Sequence, residues 1–481
     1  MKLTPPPGAV SWDEVRSRLD QNTAFSNMFD TPLYRDAVYE QFSREEYARR
    51  YAALREKMRE HKLDVVIVPG GPSHWSFGGG MTWLTGHWEW HAISSYVVVP
   101  LEAEPTLIFS MGGTHAEAVR RQVAPALADV RQSRGGRYAE VMVERIKELR
   151  LTRPRIGLVE IDPRHKDYMP VNQYNDLREG LPEAEIVFTR SFIHELVVIK
   201  SEAELDCVRR AGVLCQHAME AMVAAAKPGA TESDLRGAAG SAILKGGGDV
   251  DFLIIGSTSM ANPAMFFGNP RPSERKLKKG DIIIMELAAG YRGYTAQIGS
   301  PISLGEPTEM ASPAMFFGNP RPSERKLKKG DIVIMELAAG YRGYTAQIGS
   351  PICVGEPTEM VKKFWHEITL PGYQQIVAEI KPGNPIDKVR IAAQFFRKMG
   401  VQSRPTQIHG IDIVTATPHV FAERTEARED DKIFKPGMVT MAEPNPIAAD
   451  GMFGIFLGHT LIVTKDGHEV VDNFPLEIAV A

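Results

Sequence analysis

One stretch of this 481-residue chain occurs twice, and it limits the possible folds more than any other feature. Residues 261–310 and 311–360 align without gaps and differ only at Asn262/Ser312, Ile283/Val333, Ser303/Cys353 and Leu304/Val354. Solenoid repeats drift apart while keeping a pattern, so this near-identical pair indicates a recent duplication or an error in sequence assembly. We expect one copy to complete a sheet and the other to be an inserted hairpin or a loop.

Each copy of the duplicated stretch predicts a β-hairpin. In the first copy, an apolar strand at 282–287 and a returning strand at 294–302 are separated by a Gly-rich turn. A carboxylate lies in the first strand and an amide in the second, and such groups need a partner when they are buried. They are therefore candidate contacts for a substrate or an ion, and the two copies supply Glu286 with Gln297, and Glu336 with Gln347.

The composition predicts a two-domain cytoplasmic protein. A chain of 481 residues exceeds what one hydrophobic core usually serves. The net charge of -4 gives no reason to expect nucleic acid or a membrane as a partner. Three cysteines are too few for a disulfide framework, which favours a reducing compartment. The first residues contain no apolar segment of the kind that a secretory signal carries.

The order of predicted elements separates residues 1–190 from residues 191–481. The first part alternates short apolar strands with helices, which is typical of an α/β domain, and its first helix has Ser43 and Glu46 at capping-box spacing. The second part opens with a long helix that Ser201 and Glu204 cap in the same way, and it contains the duplication at 261–310 and 311–360.

Several motifs of the second part resemble those of one known family. They are Ile-Lys-Ser-x-x-Glu at 199–204, His-Gly-Ile at 409–411, and Glu443 directly before a proline. On these residues and on the Gly-Asp hairpin, the chain resembles the creatinase, prolidase and methionine aminopeptidase family (M24) over about 43–473. The resemblance implies an α/β (α+β) protein, with an N-terminal creatinase-like domain and a C-terminal pita-bread catalytic domain, that forms a homodimer.

The family's metal-dependent members hold two divalent ions with two Asp, one His and two Glu. The resemblance maps these ligands onto five positions of this chain: Glu286 or Glu336, Gln297 or Gln347, His409, Glu443 and Gly458. A neutral amide is a poor ligand for a transition metal, and glycine has no side chain to offer. We therefore expect loss of the metal centre and no cofactor, with a weak single divalent ion as the alternative.

Creatinase is the family member that works without metals on a C–N bond of a guanidino compound. By this resemblance we expect a creatinase-like, metal-independent hydrolase of a small cationic amine, guanidine or amide. The catalytic candidates are His409, Glu443, Glu336 and Glu286. The substrate-binding candidates are Gln347, Gln297, His419, Trp88 and His87. The last two lie in a Gly- and Trp-rich segment at 74–91, which serves either as an aromatic lid or as packing between the domains.

Three other functions remain open from the sequence. The first is a lyase of the dimethylsulfoniopropionate type, which a branch of the same family represents. The second is an Xaa-Pro aminopeptidase or dipeptidase, which the altered metal-ligand positions disfavour. The third is a pita-bread protein retained only for binding, which the lack of charged interaction tails disfavours.

Overall fold

The structure is a computed structural model, and it describes a defined part of the chain. The described residues are 41–70, 79–87, 95–111, 114–161, 168–225, 230–259, 276–277, 281–291, 294–303, 332–333, 336–341, 344–349, 352–353, 359–413, 417–427, 432–447, 455–472, 476–477 and 479–480. In the strands of the duplicated stretch it describes the main chain only. Within this part of the chain, no helix is long and apolar enough to cross a membrane.

The N-terminal region alternates helices and strands, as its sequence predicts. Its helices are α1 Arg44–Glu60, α2 Gly79–Thr85, α3 Thr114–Val123, α4 Tyr138–Glu148, α5 Val171–Gly180 and α6 His194–Val197. Its strands are β1 Val65–Pro69, β2 Tyr96–Pro100, β3 Thr106–Phe109, β4 Asp129–Gln132, β5 Arg155–Leu158 and β6 Glu185–Phe188.

These six strands form one mixed sheet in the order β4-β3-β2-β1-β5-β6. Successive residues of a strand point to opposite faces, and β1 shows this directly. Val65 and Ile67 enter a core with α4, whereas Val66 and Val68 enter a larger core on the other face. This larger core continues into the C-terminal region, where it includes Met441.

The C-terminal region begins with two helices and ends in short strands. Its helices are α7 Glu202–Ala225, α8 Glu232–Lys245, α9 Glu359–Phe364, α10 Leu370–Ala378 and α11 Asp387–Lys398, with one π-helical turn at Trp365–Thr369. Its strands are β7 Asp249–Ser259, β8 Asp281–Tyr291, β9 Tyr294–Ser303, β10 Ile332–Val333, β11 Glu336–Tyr341, β12 Tyr344–Gly349, β13 Ile352–Cys353, β14 Gln402–Ser403, β15 Thr406–Gly410, β16 His419–Phe421, β17 Thr425–Glu426, β18 Val439–Ala442, β19 Pro446–Ile447, β20 Gly458–Val463, β21 His468–Val470 and β22 Ala479–Val480.

The capping residues chosen from the sequence are confirmed. The hydroxyl of Ser43 accepts a hydrogen bond from the main-chain N–H of Glu46 at the start of α1. At the start of α7, the Ser201 hydroxyl accepts from the Glu204 N–H, and the Glu204 carboxylate accepts from the Ser201 N–H. These side chains satisfy N–H groups that the first turn of a helix leaves without a partner.

Both copies of the duplicated hairpin lie in the same sheet, contrary to the expectation that one of them is a loop or a separate insertion. The main path of this sheet runs β11-β8-β9-β12-β20-β18-β15-β16-β17. The copies pair in parallel and in register, since Glu336 is opposite Glu286 and Gln347 is opposite Gln297. Two nearly identical strands have the same pattern of apolar residues, so an in-register pairing matches them residue for residue.

The two faces of the last strands enter different cores. On one face, Ile408, Ala442 and Leu461 belong to a core that also contains residues of α10 and α11. The intervening residues, such as Met441 and Ile462, belong to the core shared with α7 and the N-terminal sheet. His409 is paired with Met441 across β15 and β18, so it lies on this second face.

Candidate active site

His409 and Glu443 are neighbours in the folded chain, as the family resemblance predicts. The Nε2 atom of His409 is 4.0 Å from Oε1 of Glu443. Both side chains are buried, with 5% and 2% of their surface exposed. This separation is too long for a hydrogen bond but short enough for a strong electrostatic attraction if the imidazole gains a proton.

The main chain around His409 fixes the tautomer of its ring. Nδ1 of His409 is 3.0 Å from the carbonyl oxygen of Gly410. A carbonyl can only accept a hydrogen bond, so Nδ1 donates it and carries the proton. In the neutral ring Nε2 then holds the basic lone pair, and this is the atom on the side of Glu443.

Glu443 is positioned by main-chain contacts at the end of β18. Its N–H donates to the carbonyl oxygen of Gln407, two residues before His409. Thr440 lies in β18 opposite Gly410 of β15, and its hydroxyl donates to the carbonyl oxygen of His409. The relative position of the two candidate catalytic residues is therefore set by the β15–β18 ladder rather than by a flexible loop.

His419 lies beside His409 across β15 and β16. The two residues form a register pair, and their ring centroids are 5.8 Å apart. The ring of His419 stacks on Phe421 at 4.1 Å, and its Nε2 is 3.1 Å from the hydroxyl of Thr406. These contacts give His419 a fixed orientation next to the buried pair.

Glycine at position 410 allows this close approach. A Cβ atom there would overlap the carbonyl oxygen of Thr417, which belongs to the segment leading into His419. The N–H of Gly410 also donates to the carbonyl oxygen of Pro418 at 2.6 Å. Only a residue without a side chain lets the two segments approach so closely, which gives a physical reason for the His-Gly motif.

The structure gives the main-chain positions of Glu286, Gln297, Glu336 and Gln347, but not their side chains. Strand β12, which contains Gln347, pairs directly with β20 through Ile348–His459 and Gly349–Gly458. Strand β9 of the first copy lies one strand further from β20. The second copy is thus adjacent to β20, which in turn pairs with β18, the strand that leads into Glu443.

Position 458 cannot hold a carboxylate without a change in the main chain. A Cβ atom on Gly458 would lie 2.6 Å from the carbonyl oxygen of Ala442 and 3.1 Å from Cα of Glu443. Together with the neutral amide at Gln347, this leaves a donor set that does not fit the two-metal centre implied by the resemblance. Among the described residues, no three His, Cys, Asp or Glu side chains form a group that could hold a metal ion.

His87 is placed in the core of the N-terminal region. It is 2% exposed, and its ring lies edge-on against Phe109 at 5.2 Å. Neither ring nitrogen has a hydrogen bond within the described part of the chain. Burial lowers the pKa of His87 to about 4. Trp88, the other candidate of this segment, lies outside the described residues.

The described part of the Gly- and Trp-rich segment, residues 79–87, packs between the two regions of the chain. Every residue of α2 is buried. Trp83 donates from its indole N–H to the carboxylate of Glu204 on α7 at 2.9 Å. For these residues the structure supports the packing interpretation rather than a lid.

A buried pair that no sequence motif indicated joins α6 to the loop that follows His409. Nδ1 of His194, on α6, is 3.2 Å from the carboxylate of Asp412, and both side chains are 1% exposed. Asp412 follows His409 by three residues, so the contact ties the loop after β15 to α6. No short motif could have indicated it, because the partners are 218 residues apart.

Comparisons with known proteins agree with this architecture. The sequence model of metallopeptidase family M24 matches residues 206–315 and 312–465, which together make up more than half of the chain. The creatinase/prolidase N-terminal domain matches residues 50–196. A relative from Mycobacterium bovis named Probable dipeptidase PepE is 24% identical over 318 residues, which cover 65% of this chain and 68% of the relative.

Two solved structures have the same fold. Xaa-Pro dipeptidase from Bacillus anthracis matches with a TM-score of 0.62 at 19% identity, covering 90% of this chain and 100% of that one. Dipeptidase PepE from Mycobacterium ulcerans matches with a TM-score of 0.60 at 20% identity, covering 92% and 99%. The chain therefore belongs to metallopeptidase family M24, a family of hydrolases that act on C–N bonds, and it carries that family's creatinase/prolidase N-terminal domain.

Proposed function

We propose that this protein hydrolyses the C–N bond of a small dipeptide, including dipeptides of the Xaa-Pro type. The observation that carries the proposal is the buried His409–Glu443 pair, with 4.0 Å between Nε2 and Oε1. Buried groups that can exchange protons are typical of catalytic sites. The substrate class is taken from relatives that are named dipeptidases. This choice favours a peptidase over the guanidino substrate expected from the sequence.

In the proposed mechanism His409 is the general base. Its Nδ1 is held as a donor by Gly410, so its Nε2 accepts a proton from the attacking water. The carboxylate of Glu443 then stabilises the imidazolium ion that forms. When the C–N bond breaks, the same Nε2 returns the proton to the departing nitrogen. Burial keeps bulk water away and strengthens the attraction between the two charges.

We assign substrate orientation to the second copy of the hairpin, because β12 is adjacent to β20. In this proposal Glu336 holds the free ammonium group of the dipeptide, and Gln347 orients its carbonyl group. Glu286 and Gln297 are the corresponding residues if the first copy is used instead. His419 lines the site beside His409. A charge-assisted hydrogen bond to a carboxylate is a strong way to select a cationic end group.

We also propose that hydrolysis does not depend on a resident metal. The support is the donor chemistry, since Gln347 offers only an amide and a carboxylate at position 458 would require movement of the main chain. The same observation supports a second candidate function, which is hydrolysis of a guanidino compound as in creatinase. Both candidates use the same base and the same cation-holding carboxylate.

The test is an assay of the purified protein against Xaa-Pro dipeptides, other dipeptides and creatine-like compounds, with and without a chelator. We expect release of free amino acids from dipeptides, detected by mass spectrometry, at a rate that the chelator does not change. Loss of activity with the chelator and recovery with a divalent ion would reject the metal-independent part. Turnover of the guanidino compounds alone would favour the second candidate over the first.

A further inference from the structure

A second buried polar cluster lies on the opposite face of the sheet from His409. His459 is in β20, where it pairs with Ala442 on one side and Ile348 on the other. Its Nδ1 is 3.0 and 3.1 Å from the two carboxylate oxygens of Asp472. An ionised carboxylate can only accept, so Nδ1 donates, and Nε2 of the neutral ring is left as an acceptor.

Helix α10 brings a hydroxyl group towards this imidazole. The rings of Tyr373 and His459 have centroids 5.8 Å apart. Thr369 precedes Tyr373 by four residues, which places it one turn away on the same side of the helix. Burial, together with the negative charge of Asp472, raises the pKa of Tyr373, so its hydroxyl stays protonated and can donate.

One polar atom each on His459, Tyr373 and Thr369 shares the same property. Each is buried and has no hydrogen bond within the part of the chain that the structure describes: His459 Nε2, Tyr373 Oη and Thr369 Oγ1. The residues that carry them are 0–2% exposed. Buried polar atoms in folded proteins nearly always find a partner, and a buried water molecule makes about three hydrogen bonds.

We propose that Tyr373, Thr369 and His459 bind one buried water molecule, with Asp472 fixing the tautomer of the histidine. The donors and acceptors balance. The Tyr373 hydroxyl donates to the water oxygen, and the two water hydrogens are donated to Nε2 of His459 and Oγ1 of Thr369. The water then links α10 to β20, the strand that begins at Gly458. This site is independent of the proposed function.

The first test is the thermal unfolding midpoint of Tyr373→Phe, Thr369→Val and the double variant. If one water joins the two hydroxyl groups, each single substitution lowers the midpoint. The double variant then lowers the midpoint by less than the sum of the two single decreases, because the first substitution has already weakened the binding of the water. Two atoms that lack any partner would behave differently, since removing each of them leaves the midpoint unchanged or raises it.

Tyr51→Phe is the matched control. Its hydroxyl is also buried without a hydrogen bond in the described residues, but it lies on α1 in the N-terminal region. Combined with Thr369→Val, it is expected to give an additive change. Additivity of Tyr373→Phe with Thr369→Val, or single variants with an unchanged or higher midpoint, would overturn the proposal.

A crystal structure of the unmodified protein gives a second test that does not depend on the variants folding. We expect one electron-density peak within hydrogen-bond distance of all three atoms, about 2.7–3.2 Å. A direct hydrogen bond between Tyr373 and His459, with no peak between them, would overturn the proposal.

Discussion

Two regions of this protein bury charged side chains, and they do so in opposite ways. At the junction between α1 and α7, Arg50 is 0% exposed and is fully engaged. Its Nη1 donates to the carbonyl oxygen of Trp83 at 2.6 Å, its Nε donates to Glu46 at 2.8 Å, and its Nη2 is 3.4 Å from Glu204. At the candidate active site, His409 and Glu443 are 4.0 Å apart, beyond hydrogen-bond distance.

The difference distinguishes a charged group that stabilises the fold from one that can take part in a reaction. A guanidinium does not lose its proton in a protein, and its fixed geometry suits several acceptors at once. An imidazole changes its protonation near neutral pH, so it can serve a reaction if its partner does not bind it too tightly. We therefore expect the Arg50 region to control stability and the His409 region to control activity.

The largest expected effect is on activity. His409→Gln and Glu443→Gln should each reduce kcat/KM for the dipeptide substrate by about 10²–10⁴-fold, because each removes one part of the proton transfer. The assay described above measures this. His217→Asn, on an exposed position of α7, is the control and should retain activity. A variant of His409 with nearly full activity would remove the distinction between the two regions.

The next effect is on stability. Arg50→Met removes a buried cation that Glu46 and Glu204 share with Arg49, and it leaves the carbonyl oxygen of Trp83 without this donor. Because Arg49 remains next to both carboxylates, we expect a destabilisation of about 3 kcal/mol, at the lower end for a broken buried ion pair. Denaturant unfolding measures the change. Refolded or residual native Arg50→Met should keep kcat close to that of the unmodified protein. If kcat falls as far as it does for His409→Gln, the junction also takes part in the chemistry.

His87 gives a pH test of the N-terminal core. Its pKa in the folded protein is about 4, below the ordinary value of 6.5. Between these values the unfolded chain binds a proton that the folded chain does not, so stability falls as pH decreases from 6.5 to about 4. The resulting loss of unfolding free energy across this pH range is about 3 kcal/mol. Below pH 4 both states are protonated, and this contribution no longer changes.

The variant His87→Leu should remove that part of the pH dependence. The measurement is the unfolding free energy of both proteins at several pH values between 4 and 7. The difference between them isolates His87, because the other titrating groups are common to both. Parallel curves would mean that His87 is accessible to protons in the folded state, as a lid residue would be.

The smallest expected effect concerns charge at the surface. Arg153 pairs with Glu183 at 3.4 Å, but the two side chains are 79% and 73% exposed. Solvent and salt screen such a pair, so Arg153→Met should not change the unfolding midpoint measurably. A clear decrease would show that the contrast with Arg50 does not depend on burial.

Much of the architecture followed from local sequence patterns. The caps at Ser43 and Ser201 and the paired strands around 282–302 are confirmed, because each depends on residues only a few positions apart. The family motifs also indicated the fold, which the comparisons confirm. The roles of His409, Glu443 and the hairpin carboxylates stay predictions.

Other features depend on contacts between distant segments. The pairing of β12 with β20 could not be read from two nearly identical hairpins, since both copies have the same local preferences. The packing of residues 79–87 and the burial of His87 were equally undecided, because a Gly- and Trp-rich segment suits a lid as well as a core.

By itself the sequence determined the local elements and indicated the family, and through the family resemblance it predicts an amide and a glycine at two ligand positions. Only the tertiary structure decided which groups meet: His194 with Asp412, His419 with His409, and Tyr373 with His459. The physical reason is that hydrogen bonding within a helix or turn depends on neighbours in the chain. A buried polar contact depends instead on how whole sheets and helices pack, and no short spacing encodes that.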